Sequence, residues 1–200
     1  MLTLWTWGTV NGRKPIILLE ELGLAYNIRP VDLTRKQQLE PEFRKLNPIG
    51  KIPVLVDEDD GPIIESNAIL WYLGNKTGRL LGEGDRVSKV MQWLFFEAAT
   101  AGPPLVNRWR LRHRLPEKPP SEVERHRGDS ERALAMIEET LAESRYFAGA
   151  YSIADIAFVG LLKQELAEPE QEGNYPAIRA WLERCEARPS VQKGLACRIG

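Results

Sequence analysis

Cysteine, histidine and long hydrophobic runs are scarce in this sequence. Its 200 residues include two cysteines and two histidines. Cys185 and Cys197 lie near the carboxyl end without metal-ligand spacing to His113 or His126, so neither a disulfide framework nor a zinc site is expected. No apolar stretch approaches the ~18 residues of a membrane-spanning helix, and the amino terminus does not resemble a secretion signal. We therefore expect a soluble, cytoplasmic protein with no bound metal and no membrane partner.

Net charge is also nearly absent. The 27 basic and 28 acidic residues give a formal net charge of -1, so the whole protein does not attract nucleic acid. The sharpest charge cluster is Arg108-Trp-Arg-Leu-Arg-His-Arg114, with four arginines around Trp109. We interpret this cluster as a solvated helix end, or as the wall of a cleft for anionic substrates, rather than as a nucleic-acid site.

Hydrophobic periodicity divides the chain into two differently built halves. From Met1 to about Gly78, short strand patterns alternate with helical patterns in the order βαβαββα. Long helical patterns follow, and Gly102-Pro103-Pro104 is expected to bend or break one of them. The sequence predicts an α/β domain over residues 1–78, a glycine-rich linker over 79–85 and an all-helical domain over 86–200.

The junction after the first strand carries the first candidate site. The segment Thr6-Trp-Gly-Thr-Val-Asn-Gly12 places small and polar residues where open α/β folds bind ligands. With Gly12 as helix cap and Pro15 in the first turn, Asn11 would face the ligand. Lowering a thiol pKa from about 8.5 by ~2 units takes roughly 2.7 kcal/mol. Bonds from a Thr hydroxyl and an Asn amide, at ~1.5–3 kcal/mol each, cover that range. The alternative is an ordinary loop in which Thr9 or Asn11 caps the helix.

A second candidate segment is the turn that runs from Asn47 to Pro53. Pro53 stands at the entrance of a buried strand, where a cis bond is one option that the local sequence leaves open. In the cis form, the Ile52 backbone would pair with an extended peptide ligand, and Lys51 would meet a ligand carboxylate. The alternative is a turn with a solvated lysine.

A third candidate segment opens the last helix of the first half. Ser66 is the expected N-cap of that helix, and its hydroxyl and nearby amides would receive a carboxylate. Glu65 would accept an ammonium group. The alternative is simple capping, but the three segments together suit a small zwitterionic peptide.

In their order and spacing, these segments resemble the glutathione transferase superfamily. The motifs that carry the resemblance are Thr9-Val-Asn-Gly12, Leu18-Leu-Glu-Glu-Leu-Gly23, Asn47-Pro-Ile-Gly-Lys-Ile-Pro53, Glu65-Ser-Asn-Ala-Ile69 and Ser152-Ile-Ala-Asp155. The chain looks most like the bacterial Nu class and the yeast prion-type homologues, which carry Thr-x-Asn-Gly after the first strand. The resemblance implies a thioredoxin-like glutathione-binding domain, then an all-helical substrate and dimerisation domain, in a homodimer.

The resemblance also implies roles for individual residues. Thr9 and Asn11 would lie near the glutathione sulfur as catalytic residues, with Thr6 as the alternative to Thr9. The residues expected to bind glutathione are Gln38, Lys51, Ile52, Pro53, Glu65, Ser66 and Arg132. Gln38 and Lys51 would contact its glycyl carboxylate, and Glu65 and Ser66 its γ-glutamyl end. Asn67 stands where glycine is usual in the family.

The resemblance to the Nu class also implies an activity. Nu-class enzymes act well as disulfide-bond reductases, with two bound glutathiones or one glutathione disulfide. The implied cosubstrate is glutathione, whose thiolate would attack a small disulfide without any protein cysteine or metal. Two alternatives remain open. One is conventional transfer of glutathione to small electrophiles, and the other is a non-catalytic, glutathione-binding regulatory protein.

Overall fold

The chain folds as two units, and both ends of the chain belong to the first. The computed structural model describes residues 1–168 and 173–199. The first unit comprises Met1–Leu81 together with the chain from Glu186 onward, and the second comprises Gly82–Cys185. The sequence predicts a single helical domain over residues 86–200. The structure instead groups the last segment with the first unit, because its helix packs on the first helix of the chain.

The first unit begins with the predicted βαβαββα order. Its elements are β1 (Leu2–Thr6), α1 (Val10–Leu22), β2 (Tyr26–Pro30), a 3-10 turn (Gln37–Leu39), α2 (Pro41–Leu46), β3 (Val54–Asp57), β4 (Gly61–Ile64) and α3 (Ser66–Thr77). The strands form one sheet in the order β2-β1-β3-β4. β1 runs parallel to β2, and β3 runs antiparallel to both β1 and β4. The thioredoxin-like architecture expected of this half is confirmed.

Hydrophobic side chains from the sheet and α1 form the core of this unit. Leu2, Leu4 and Thr6 alternate toward the buried face of β1, as the two-residue period of a strand requires. In α1 the run Ile16–Leu19 is completely buried. Such burial on all sides of a helix indicates that α1 has neighbours on more than one face.

The second unit is helical, as the sequence predicts. Its helices are α4 (Arg86–Phe96), α5 (Gly102–His113), α6 (Pro120–Glu143), α7 (Ile153–Leu166) and α8 (Pro176–Glu186). A π-helical segment, Glu97–Ala101, joins α4 to α5, and the prolines at 103 and 104 lie in the first turn of α5. The predicted interruption at Gly102 is thus confirmed. Proline is accepted there because the first amides of a helix have no partner within it.

The last helix, α9 (Pro189–Ala196), docks on α1 within the first unit. A Cβ atom on Gly194 would lie 2.3 Å from Ile17 Cγ1, so only glycine permits this close approach. The Arg13 guanidinium donates to the carbonyls of Gly194 at 2.9 Å and Cys197 at 3.1 Å. Arg13 therefore satisfies carbonyl groups at the end of α9, which have no amide partner in their own helix.

Within the described ranges, no helix has both the length and the apolar composition needed to traverse a lipid bilayer.

Candidate functional site

The strand register brings the three predicted polar segments to one end of the sheet. Trp5 of β1 pairs with Val54 of β3, and Val54 in turn pairs with Ile64 of β4. Because β3 is antiparallel to both neighbours, the residues after β1, before β3 and after β4 leave the sheet at the same end. The polar segments beginning at Thr9, ending at Pro53 and beginning at Glu65 all adjoin this end.

Thr9 is the N-cap of α1. Its Oγ1 accepts the Gly12 N–H at 3.1 Å, and the helix begins at Val10. The prediction of Gly12 as cap and Pro15 in the first turn is therefore wrong: Gly12 is the third helical residue and Pro15 the sixth. Glycine is required at position 12 for a steric reason, because a Cβ there would lie 2.1 Å from the Trp7 carbonyl oxygen. The glycine lets the loop after β1 cross closely over the helix.

Thr9 and Asn11, rather than Thr6, present polar side chains at this junction. Thr6 is completely buried, and its hydroxyl donates to the Gly12 carbonyl at 2.9 Å. Thr9 and Asn11 are half-buried. Because Pro15 has no N–H, the Asn11 carbonyl also lacks its usual helical donor. Thr9 and Asn11 therefore keep surface that solvent can reach, whereas Thr6 does not.

The Ile52–Pro53 peptide bond is cis, which settles the isomer that the sequence leaves open. The turn before it is shaped by buried Asn47, whose Nδ2 donates to the Lys51 carbonyl at 2.7 Å. Asn47 Oδ1 accepts the Ile49 N–H at 3.2 Å. These bonds fix the backbone that leads to Ile52 and leave the Lys51 side chain exposed.

Gln38 lies beside this turn. A Cβ on Gly50 would lie 2.9 Å from the Gln38 carbonyl oxygen, so the 3-10 segment packs directly on the residue before Lys51. Gln38 Oε1 is buried and has no hydrogen-bond partner within the described part of the chain. Buried polar atoms are usually paired, so the Gln38 side chain is suited to accept a ligand donor or to turn its amide toward a carboxylate.

The start of α3 combines an unusual backbone with an N-cap that makes no side-chain bond. The N-cap is Glu65, with φ 69° and ψ 120°, and Ser66 is the first helical residue. The prediction of Ser66 as N-cap is therefore wrong. A non-glycine residue at positive φ costs of order 1–3 kcal/mol and is typically held where function needs it. Because Glu65 makes no side-chain cap, the amides of this turn remain suited to an anion.

Lys14 is a residue of this region that sequence reasoning missed. It lies on α1, is only 2% exposed, and places its Nζ 3.5 Å from Ser66 Oγ and 3.3 Å from Asn67 Oδ1. The available signal was its position next to the apolar run that starts at Pro15, inside the buried part of the helix. Lysines are almost never this buried unless they have polar partners.

Arg132 belongs to the second unit. It lies on α6, its side chain is 75% exposed, and it forms an ion pair with Asp129. It borders a groove of ≈ 660 Å³ whose other lining residues are Phe96, Ala99, Thr100, Pro103, Pro104, Asn107, Arg125, His126, Asp129, Ala133 and Met136. The other eight predicted site residues all belong to the first unit.

The arginine cluster on α5 is held by glutamates rather than solvated throughout. Arg108 is buried and lies 3.0 Å from the Glu165 carboxylate. His113 lies 3.0 Å from Glu168, which is also 3.6 Å from Arg112. Burial raises the pKa of Glu165, an effect that Arg108 opposes. The interpretation of the cluster as a solvated helix end is therefore wrong at Arg108.

The geometry is that of a thioredoxin-like unit with polar segments at one end of its sheet, in a chain with a second, helical unit. Family models for the glutathione S-transferase N-terminal and C-terminal domains match residues 1–75 and 89–189. The disulfide-bond oxidoreductase YfcG of Escherichia coli (strain K12) is 34% identical over 203 residues, covering 98% of this chain and 94% of that protein.

Solved structures of glutathione transferases are also similar to this chain. A glutathione transferase from Pseudomonas putida, with one glutathione disulfide bound per subunit, has a TM-score of 0.90 at 31% identity, covering 98% of this chain and 90% of that one. The glutathione transferase URE2P6 from Phanerochaete chrysosporium, in complex with oxidized glutathione, has a TM-score of 0.88 at 33% identity, covering 96% and 94%. This chain belongs to the glutathione S-transferase family.

Proposed function

We propose that this protein binds glutathione at the end of the sheet in its first unit and uses it to reduce disulfides. The observation that carries the proposal is the strand register, which brings the β1–α1 junction, the cis-proline turn and the start of α3 to one place. The structural relatives from Pseudomonas putida and Phanerochaete chrysosporium hold glutathione disulfide. The relative from Escherichia coli is a disulfide-bond oxidoreductase, which favours reduction over transfer to electrophiles.

The γ-glutamyl end of glutathione is assigned to the start of α3. Its carboxylate would accept from the Ser66 hydroxyl and first-turn amides, where the partial positive charge of the helix favours an anion. Exposed Glu65 would accept from the ammonium group. The unusual backbone of Glu65 is explained if it sets the direction of this side chain.

The middle and glycyl end of the tripeptide are assigned to the cis-proline turn. The Ile52 backbone would pair with the cysteinyl residue as a short β-bridge, with Pro53 holding the turn. Gln38 and Lys51, which flank Gly50, would contact the glycyl carboxylate. The cysteinyl sulfur would then lie near Thr9 and Asn11. Arg132, on the second unit, stays a separate prediction as a glutathione-binding residue.

The proposed reaction has two thiol–disulfide exchanges. A bound glutathione thiolate attacks one sulfur of a small substrate disulfide, which forms a glutathione mixed disulfide and releases one substrate thiolate. A second glutathione thiolate attacks the glutathione sulfur of that mixed disulfide, releasing the other substrate thiolate and forming glutathione disulfide. Asn11 and Thr9 stabilise the first thiolate by hydrogen bonds.

The proposed working form is a cytoplasmic homodimer.

The test compares hydroxyethyl disulfide with a chloronitrobenzene electrophile in glutathione-dependent turnover, for the wild type and the Asn11→Ala variant. We expect faster turnover of the disulfide, and a loss of about 10-fold to 100-fold in the variant, since one bond to an anion contributes ~1.5–3 kcal/mol. Unchanged reductase turnover in a folded, glutathione-binding variant would exclude the thiolate role. Faster electrophile transfer would favour a conventional transferase, and binding without turnover a regulatory protein.

A further inference from the structure

The Lys14 side chain of α1 contacts the first turn of α3. Lys14 projects from α1, is 2% exposed, and contacts the side-chain oxygens of Ser66 and Asn67 at 3.5 and 3.3 Å. These are the first two residues of α3. A buried, donor-bearing side chain thus lies directly behind the turn to which the proposed function assigns the γ-glutamyl carboxylate.

An ammonium group has three donors and no acceptor, whatever else it contacts. Ser66 Oγ can only accept from Lys14, so the hydroxyl proton of Ser66 must point to another acceptor. Asn67 Oδ1 likewise accepts from Lys14, which directs the Asn67 amide donors away from it. A cation on this side of Ser66 and Asn67 favours orientations in which their hydroxyl and amide donors point away from Lys14, toward an anion.

We propose that Lys14 is a positioning residue that makes the start of α3 selective for a carboxylate. The inference rests on the proposed function, because the carboxylate concerned is that of the γ-glutamyl group. Lys14 does not itself touch this carboxylate; it sets the hydrogen-bond direction of Ser66 and Asn67.

The selectivity can be measured with two ligands that differ by one group. Glutathione and 4-aminobutyryl-cysteinyl-glycine share the ammonium, the cysteinyl thiol and the glycyl carboxylate, but only glutathione carries the γ-glutamyl carboxylate. Calorimetric titration of the wild type, Lys14→Met and Lys14→Gln gives the affinity ratio of the two ligands for each protein. Methionine matches the length of lysine without donors, whereas glutamine keeps two donors and adds an acceptor.

We expect the wild type to prefer glutathione by about 10-fold or more, as one hydrogen bond to a charged group predicts. In Lys14→Met the ratio falls to within about 3-fold, while the affinity for the aminobutyryl peptide is unchanged. The affinity ratio of Lys14→Gln should lie between those of the wild type and Lys14→Met. This variant supplies the test if the methionine variant does not fold. Equal weakening of both ligands in the variants would show a merely structural role and overturn the inference, and so would a full wild-type ratio.

The wild-type titrations separate this inference from the proposed function. If the wild type binds glutathione and the aminobutyryl peptide equally well, glutathione binding stands and the assigned role of Lys14 fails. If it binds neither peptide, the proposed function itself fails, and the inference fails with it.

Discussion

The two units bury an aspartate in opposite electrostatic settings. In the first unit, Asp57 contacts the Lys76 ammonium at 2.7 Å and the Tyr72 hydroxyl at 2.5 Å, and these two partners hold its pKa down at about 2. In the second unit, Asp155 accepts from the Trp181 indole at 2.8 Å and the Ser152 amide at 2.9 Å. Burial nevertheless raises the pKa of Asp155 to about 6.

The two pKa shifts show that a buried carboxylate of this protein keeps its charge more readily beside a cation than beside neutral donors. Neutral donors only partly offset the loss of hydration at Asp155, whereas a cation more than offsets it at Asp57. The proposed ligand groups follow the same rule. The γ-glutamyl carboxylate would have the Lys14 cation behind its donors, while the thiolate would have the neutral donors of Thr9 and Asn11. We therefore expect the thiolate to keep part of its hydration, as the half-buried state of both residues allows.

Removing each aspartate should have unequal costs, and this is the largest expected effect. Asp155→Ala leaves buried amide and indole donors without their acceptor and removes the capping box of α7. At ~1–3 kcal/mol per unsatisfied group, we expect a loss of about 3 kcal/mol or more. Asp57→Ala should cost only about 1–2 kcal/mol, because the Lys76 side chain is 37% exposed and can be hydrated. Urea unfolding at pH 7 measures both, and equal costs would contradict the comparison.

The pH dependence of stability should separate the two aspartates more finely. The folded-state pKa of Asp155 lies above its ordinary value. The contribution of Asp155 to the free energy of unfolding is therefore fully present below about pH 4 and is lost as pH rises through about 6. Asp57 behaves oppositely, since its contribution is present above about pH 4 and lost as pH falls toward 2.

Isosteric variants isolate these contributions. Between pH 4 and 6, Asp155→Asn should gain stability relative to the wild type by at most ~1.4 kcal/mol per pH unit, read from urea midpoints. Asp57→Asn serves as the matched control, because its difference from the wild type should change only below about pH 4. If the stability difference between Asp155→Asn and the wild type stays constant from pH 4 to 6, Asp155 is already charged at pH 4.

A further comparison takes one helical glycine from each unit. Gly194→Ala should destabilise the protein by about 1–3 kcal/mol, since its Cβ would overlap Ile17. Gly128→Ala is the matched control on α6. The nearest atom to its added Cβ is the end of the flexible Arg132 side chain at 3.5 Å, so we expect a gain of up to ~1 kcal/mol. Thermal unfolding checks both, and a Gly194→Ala variant as stable as the wild type would contradict the packing of α9 on α1.

Much of the fold could be predicted because its signals are local. The alternating apolar residues in β1 and the glycine and prolines from Gly102 each act over a few residues, and the structure confirms both predictions. The cis form of Ile52–Pro53 was one of two options, and the structure decides it.

The features that sequence reasoning missed depend on distant contacts. Lys14 resembles a surface lysine until α3 packs over it, and Arg108 resembles a solvated residue until α7 brings Glu165 within 3.0 Å. The docking of α9 joins residues about 180 positions apart, as in the bond from Arg13 to Gly194. At Gly12, the close crossing of the Trp7 carbonyl, rather than capping, explains the glycine.

Calorimetric titration of the intact protein with glutathione tests whether the first unit binds the tripeptide. We predict saturable binding to the wild type and at least about a 10-fold weaker affinity for Glu65→Gln, which lacks the charge that accepts the γ-glutamyl ammonium. Glu58→Gln, on an exposed carboxylate paired with the amino terminus, is the matched control and should bind as the wild type does. No binding heat with the wild type, or equal affinities for all three proteins, would contradict the proposed site.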